Sequence, residues 1–113
     1  IFPIMHVVAM RKETVEANPG LPAALFRAYS ESKQIAYRDL RNLAWAFNSL
    51  PWVSQEVEDT QALMGDNFWP YGIDANRKVL DTLFQYSYEQ GLAGRRLQVE
   101  DLFHPSTLAF SEA

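Results

Sequence analysis

Two histidines, His6 and His104, are the side chains of this chain that ordinarily titrate near neutrality. Neither stands in a His-x-His or His-x-x-x-His spacing, so local sequence builds no metal pair and no metal site is expected. His104, followed by Pro105 in a terminal turn, reads as solvated or locally bonded. His6 lies within an apolar run, where a titratable ring must be desolvated or given a partner. It reads either as a satisfied core histidine or as a cleft position, because strands of open parallel sheets end at ligand crevices. Asp66 follows Gly65 and precedes Asn67-Phe68-Trp69, so its carboxylate either caps a turn or stands at a pocket rim. Trp69 and Tyr71 each combine a large apolar face with one polar atom, which suits a loop anchor as well as the wall of a ligand site. Arg77 and the pair Arg95-Arg96 could meet an anionic group, a salt bridge being the ordinary alternative. Glu56, Glu58 and Asp59 read as a solvated helix face. Neither a Gly-rich phosphate loop nor a Gly-x-Ser-x-Gly elbow is present.

Four of these residues, Asp66, Trp69, Tyr71 and Arg77, fall in one stretch, 65–77, whose first half is bracketed by Gly65 and Gly72 and stiffened by Pro70. Phe68, Trp69 and Tyr71 give it more apolar area than an ordinary surface connection carries, so it must pack against something. Its partner is expected outside these 113 residues.

The rest of the chain bounds what that stretch can do. A length of 113 residues with 48% hydrophobic and 13% aromatic content suits one domain with a core, which excludes a disordered chain. Ten basic against fourteen acidic residues, without a long run of either sign, leave no electrostatic footprint for nucleic acid. The absence of cysteine excludes disulfides, thiolate catalysis and thiolate-held metals. No apolar run approaches the roughly 20 residues of a membrane span, so no membrane partner is expected. The chain opens on Ile1 inside its most apolar run with no basic leader, and it is read as a fragment of a longer protein or the C-terminal product of one.

Residues 4–10 are β-branched and apolar nearly throughout and predict a strand buried on both faces. Everything after reads as helix and turn. The predicted strand therefore has no partner within the chain, and its neighbours are expected in missing chain or in another copy of this one, the latter giving a homo-oligomer. Apolar residues recurring at three and four (Leu25, Ala28, Tyr29, Ile35, Ala36, Leu40 and onward) predict a helix over 21–49, ended by Leu50-Pro51. A second is predicted over 52–64, stopped by Gly65, and a third over 74–90, capped by Asp74, with Val79, Leu80, Leu83, Phe84 and Ser87 inward. The tail is expected to fray after Leu108. The fold class is thus mostly α, one N-terminal strand and three main helices.

Read together, Phe2-Pro3-Ile4-Met5-His6-Val7-Val8, Leu50-Pro51-Trp52, Ala62 through Gly72, Ala75-Asn76-Arg77-Lys78 and Leu102-Phe103 resemble the C-terminal part of 4,5-dihydroxyphthalate decarboxylases. The Gly-Asp-x-Phe-Trp-Pro-Tyr-Gly block carries most of the resemblance. It implies an α/β fold like that of type 2 periplasmic solute-binding proteins, two lobes with the ligand between them, of which this chain would be one single C-terminal fragment. The implied reaction is non-oxidative loss of one carboxylate from 4,5-dihydroxyphthalate, a small aromatic dicarboxylate, to give protocatechuate in aromatic-compound breakdown. Such chemistry needs a proton for the ring carbon and an oriented, desolvated carboxylate, and no cofactor. His6 is the expected proton donor, Arg77 the anchor of the retained carboxylate, and Asp66, Trp69 and Tyr71 the contributions of the loop. The full-length protein would be a cytoplasmic carboxy-lyase and the 113 residues alone inactive. Two other readings stay open, a solute-binding protein of the same fold for a small aromatic or anion, and a self-associating helical module without catalysis.

Overall fold

The computed structural model describes residues 6–42 and 49–112. They form helices α1 (Lys12–Ala17), α2 (Leu21–Leu40), α3 (Val53–Met64), α4 (Ile73–Glu89) and α5 (Val99–Leu102), followed by a 3-10 turn at Pro105–Thr107. The described residues are thus mostly helical, as expected, and contain no sheet. Their β-type pairing is a single antiparallel bridge between Gly72 and Ser111. The strand predicted over 4–10 is not supported. Residues 6–10 join no ladder, Val7 and Val8 are exposed, and positions 4 and 5 lie outside the described residues. The propensity of β-branched residues expresses packing on a pleated surface and cannot hold an extended strand that has no neighbour.

The chain forms two compact units, Ile1–Phe26 with Tyr71–Ala113, and Arg27–Pro70. In the first, α1 opens after Arg11, whose backbone is extended, and closes where the Asn18 N–H meets the Thr14 and Val15 carbonyls. The core of this unit is built on α4. Ile73, Leu80 and Phe84, spaced at seven and four, fall on one stripe and are all buried. They close against Val99, with Leu97, Phe103 and Leu108 packed around them. Leu83, predicted inward, is instead exposed, being a quarter-turn off that stripe. Nor does Asp74 cap α4. The N-cap is Gly72, and Asp74 lies in the first turn, where its carboxylate faces Arg77.

The C-terminal tail does not fray at Leu108. The Phe110 ring sits 5.2 Å from that of Phe26, Ser111 bridges Gly72, and a Glu112 carboxylate oxygen accepts the Tyr71 N–H at 2.8 Å. Gly72 is required at this crossing. Its φ is 102°, and a Cβ there would lie 2.5 Å from the Phe110 carbonyl oxygen.

Helix α2, whose residues from Arg27 onward belong to the second unit, reaches Leu40 rather than 49. Asn42 turns back by donating to the Asp39 carbonyl at 3.1 Å, and 43–48 lie outside the described residues. The buried face of α2 also differs from the predicted stripe. Lys33 and Tyr37 are buried, whereas Tyr29 and Ile35 are exposed together with Ala28 and Ala36. Helix α3 has no fully buried residue and ends at Gly65, whose φ of 84° reverses the chain into the aromatic loop.

Candidate functional site

The loop from Asp66 to Pro70 lies on α2, so its partner is within the chain and the expectation of an outside partner is corrected. Phe68 stacks on Tyr37 with ring centroids 4.5 Å apart and planes 28° from parallel. The Tyr37 hydroxyl accepts the Trp69 N–H at 2.8 Å. One turn earlier on α2, Lys33 Nζ donates to the Trp69 carbonyl at 2.7 Å and to Asn67 Oδ1 at 2.8 Å. Both backbone polar groups of Trp69 are therefore held by side chains four positions apart on one helix face.

Lys33 is only 7% exposed. A buried ammonium is costly unless it is paired and hydrogen-bonded. Here two carbonyl-type oxygens receive it, and its Nζ also stands 5.6 Å from the Tyr37 ring centroid, within reach of the ring's electron-rich face. At the other end of Tyr37, Arg41 places its guanidinium carbon 6.0 Å from the same centroid. Arg41 also reaches Asp66, 3.9 Å from the carboxylate, while Gln61 donates to that carboxylate at 3.0 Å. The loop is thereby tied at its start to Arg41, just past α2, and to Gln61 of α3, and from Asn67 to Trp69 to α2 itself.

Asp66 and Trp69 are the two predicted site residues brought into this arrangement. The Asp66 side chain is 92% exposed, so its ion pair is weak and its carboxylate is open to solvent. Trp69 keeps 41% of its surface exposed although its backbone is pinned. A planar apolar side chain on a fixed peptide is suited to stack on an aromatic ligand. The other three predicted residues belong to the first unit. Tyr71 is half-buried with its N–H on Glu112, Arg77 lies 3.8 Å from Asp74, and His6 is exposed in the irregular segment before α1. The paired and exposed Arg77 is only weakly engaged by Asp74, an i,i+3 pair. His104 is locally bonded, its Nδ1 accepting the Ser106 N–H at 3.3 Å. Among the described residues no three His, Asp or Glu side chains gather as metal ligands.

Lys33 and Tyr37 are absent from the residues singled out by sequence. A signal existed in the spacing. Phe26, Ser30, Lys33 and Tyr37 recur at four, three and four, a second face of α2 with mixed polarity. Ser30 and Lys33 also form a Ser-x-x-Lys spacing, and Ser30 Oγ is buried with no hydrogen-bond partner among the described residues. Because Lys33 Nζ donates to Asn67 and Trp69, it anchors the loop rather than serving as a base for that hydroxyl.

No family model matches the chain. In sequence it is 38% identical, over 108 residues and 96% of its length, to a 4,5-dihydroxyphthalate decarboxylase of Comamonas testosteroni. It spans 33% of that relative's length. The resemblance carried by the aromatic block thus extends over nearly the whole chain, which is similar to about a third of that 4,5-dihydroxyphthalate decarboxylase.

Proposed function

We propose that this chain is a segment of a carboxy-lyase that removes one carboxylate from 4,5-dihydroxyphthalate to give protocatechuate, within a two-lobed fold of the type 2 periplasmic-binding-protein kind. The observation that carries this reading is the 38% identity over 96% of the chain to an enzyme of that name. The reaction breaks an aryl–carboxylate bond, releases carbon dioxide, and places a proton on the ring carbon left behind. The demands are to hold a planar dianion, to orient the departing carboxylate and to deliver the proton.

In this proposal Trp69 stacks on the ring, with Asp66 and Tyr71 completing the contribution of the loop. Arg77 holds the retained carboxylate, for which its weak tie to Asp74 is easily exchanged. His6 delivers the proton. The remainder of the pocket comes from chain beyond these residues, so the 113 residues by themselves are inactive. The test is carbon dioxide release and protocatechuate formation from 4,5-dihydroxyphthalate by the full natural polypeptide. Protocatechuate in step with carbon dioxide supports the reading, and its absence contradicts it.

A further inference from the structure

We infer that Lys33 and Tyr37 are positioning residues for the substrate, acting through the peptide groups of Trp69. The inference rests on the proposed reading of Trp69 as a wall of the aromatic site. The indole has two side-chain torsions of its own, so its place in space depends first on where the Trp69 backbone stands. That backbone is set from α2 on both sides, the N–H by the Tyr37 hydroxyl at 2.8 Å and the carbonyl by Lys33 Nζ at 2.7 Å. The neighbouring residues are held by the same two side chains, Asn67 by Lys33 and Phe68 by stacking on Tyr37.

The arrangement is more elaborate than an exposed loop needs for attachment. It buries an ammonium at 7% exposure and a phenol at 5%, yet leaves Trp69 at 41%. Burying a charged group and a hydroxyl to fix a partly exposed indole spends polar desolvation on the geometry of one side chain. A loop attached only for stability could be held by Phe68 alone. A gap of about 1 Å at a stacking wall forfeits roughly a quarter to a half of the van der Waals attraction of each contact across it.

The test uses the full natural polypeptide with 4,5-dihydroxyphthalate as substrate and 5-fluorotryptophan incorporated. The Trp69 resonance is identified by its loss in Trp69→Phe. Tyr37→Phe keeps the stack on Phe68 and removes only the hydroxyl, and Lys33→Met keeps the aliphatic stem and removes the donor. Both are expected to raise KM at least fivefold with kcat within about twofold, and to shift or broaden the Trp69 resonance. Lys33→Arg, which restores a donor, is expected to recover part of the KM. Should Lys33→Met fail to fold, Tyr37→Phe and Lys33→Arg carry the same comparison. If Trp69→Ala raises KM while Tyr37→Phe and Lys33→Met match the natural protein in KM and resonance, positioning is overturned and the reading of Trp69 stands. If Trp69→Ala leaves KM unchanged, that reading falls and the inference with it.

Discussion

The phenol of Tyr37 accepts the backbone N–H of Trp69 at 2.8 Å, across 32 positions of sequence, while its ring stacks on the residue before, Phe68. One buried side chain thereby supplies both the apolar floor and the polar fixing point of the aromatic loop. Removing the hydroxyl separates the two contributions. Tyr37→Phe leaves the Trp69 N–H part-buried without its acceptor and is expected to cost about 1–2 kcal/mol in urea unfolding.

Lys33 grips the carbonyl of the same residue, so its loss and that of Tyr37 will not be independent. In a cycle of Lys33→Met, Tyr37→Phe and the double variant, the double should be milder than the sum by about 0.5–1 kcal/mol. Strict additivity would show that the loop does not depend on α2 as one unit.

At the crossing of the C-terminal tail, Gly72→Ala meets both a positive φ and the Phe110 carbonyl. The left-handed backbone alone costs about 1–2 kcal/mol for a residue with a Cβ, and the close approach adds to it. A loss of more than about 2 kcal/mol is expected, against little change for Gly94→Ala, where a Cβ meets nothing within 4 Å. Equal effects at the two glycines would mean the tail is not docked as described.

The Arg95 guanidinium holds both oxygens of Asp101, at 2.7 and 2.8 Å, and the Gln98 N–H donates to the same carboxylate at 2.8 Å. Hydrogen bonds from Arg95 first, then from the Gln98 backbone, lower the Asp101 carboxyl to about 2. A carboxyl lowered in the folded state stabilises it above the unfolded value near 4, and that contribution disappears as pH falls from about 4 through about 2. Solvent screens the pair, so the effect is small. Unfolding midpoints measured at pH 5 and pH 2.5 should differ less in Asp101→Asn than in the natural chain, and an identical difference would remove Asp101 from the acid response.

The core stripe of α4 makes the contrast between adjacent leucine and phenylalanine positions sharp. Phe84→Ala, at a site 3% exposed, is expected to cost about 3–5 kcal/mol in thermal or urea unfolding. Leu83→Ala, at a site 47% exposed, should stay within about 0.5 kcal/mol.

How much of this was legible in the sequence depends on how local the cause is. Leu80 and Phe84 follow from helical periodicity, and the turn at Gly65 follows from its place after an amphipathic segment. The need of Phe68 for a packing partner follows from its apolar area. The buried face of α2 does not follow, because Lys33 is received by Asn67 and Trp69, more than thirty positions away, while Tyr29 and Ile35 look inward on periodicity yet are exposed. The docking of Phe110 to Glu112 is hidden for the same reason, since a short polar tail offers no period to read. The 4–10 run reports side-chain preference without the neighbour that a ladder requires. Asp66 and Trp69, whose roles at a site are proposed, stand out in the sequence from the crowding of chemistry between two glycines. Lys33 and Tyr37 do not, since their importance lies in which backbone groups they meet.

The most direct test of the central claim is to incubate the full natural polypeptide containing this chain with 4,5-dihydroxyphthalate and follow carbon dioxide and protocatechuate together. Formation of the two in equal amounts, at a rate reduced in Trp69→Ala, is the predicted result. Tight binding of 4,5-dihydroxyphthalate without release of carbon dioxide would contradict the claim and make the protein a binder of the aromatic dicarboxylate instead.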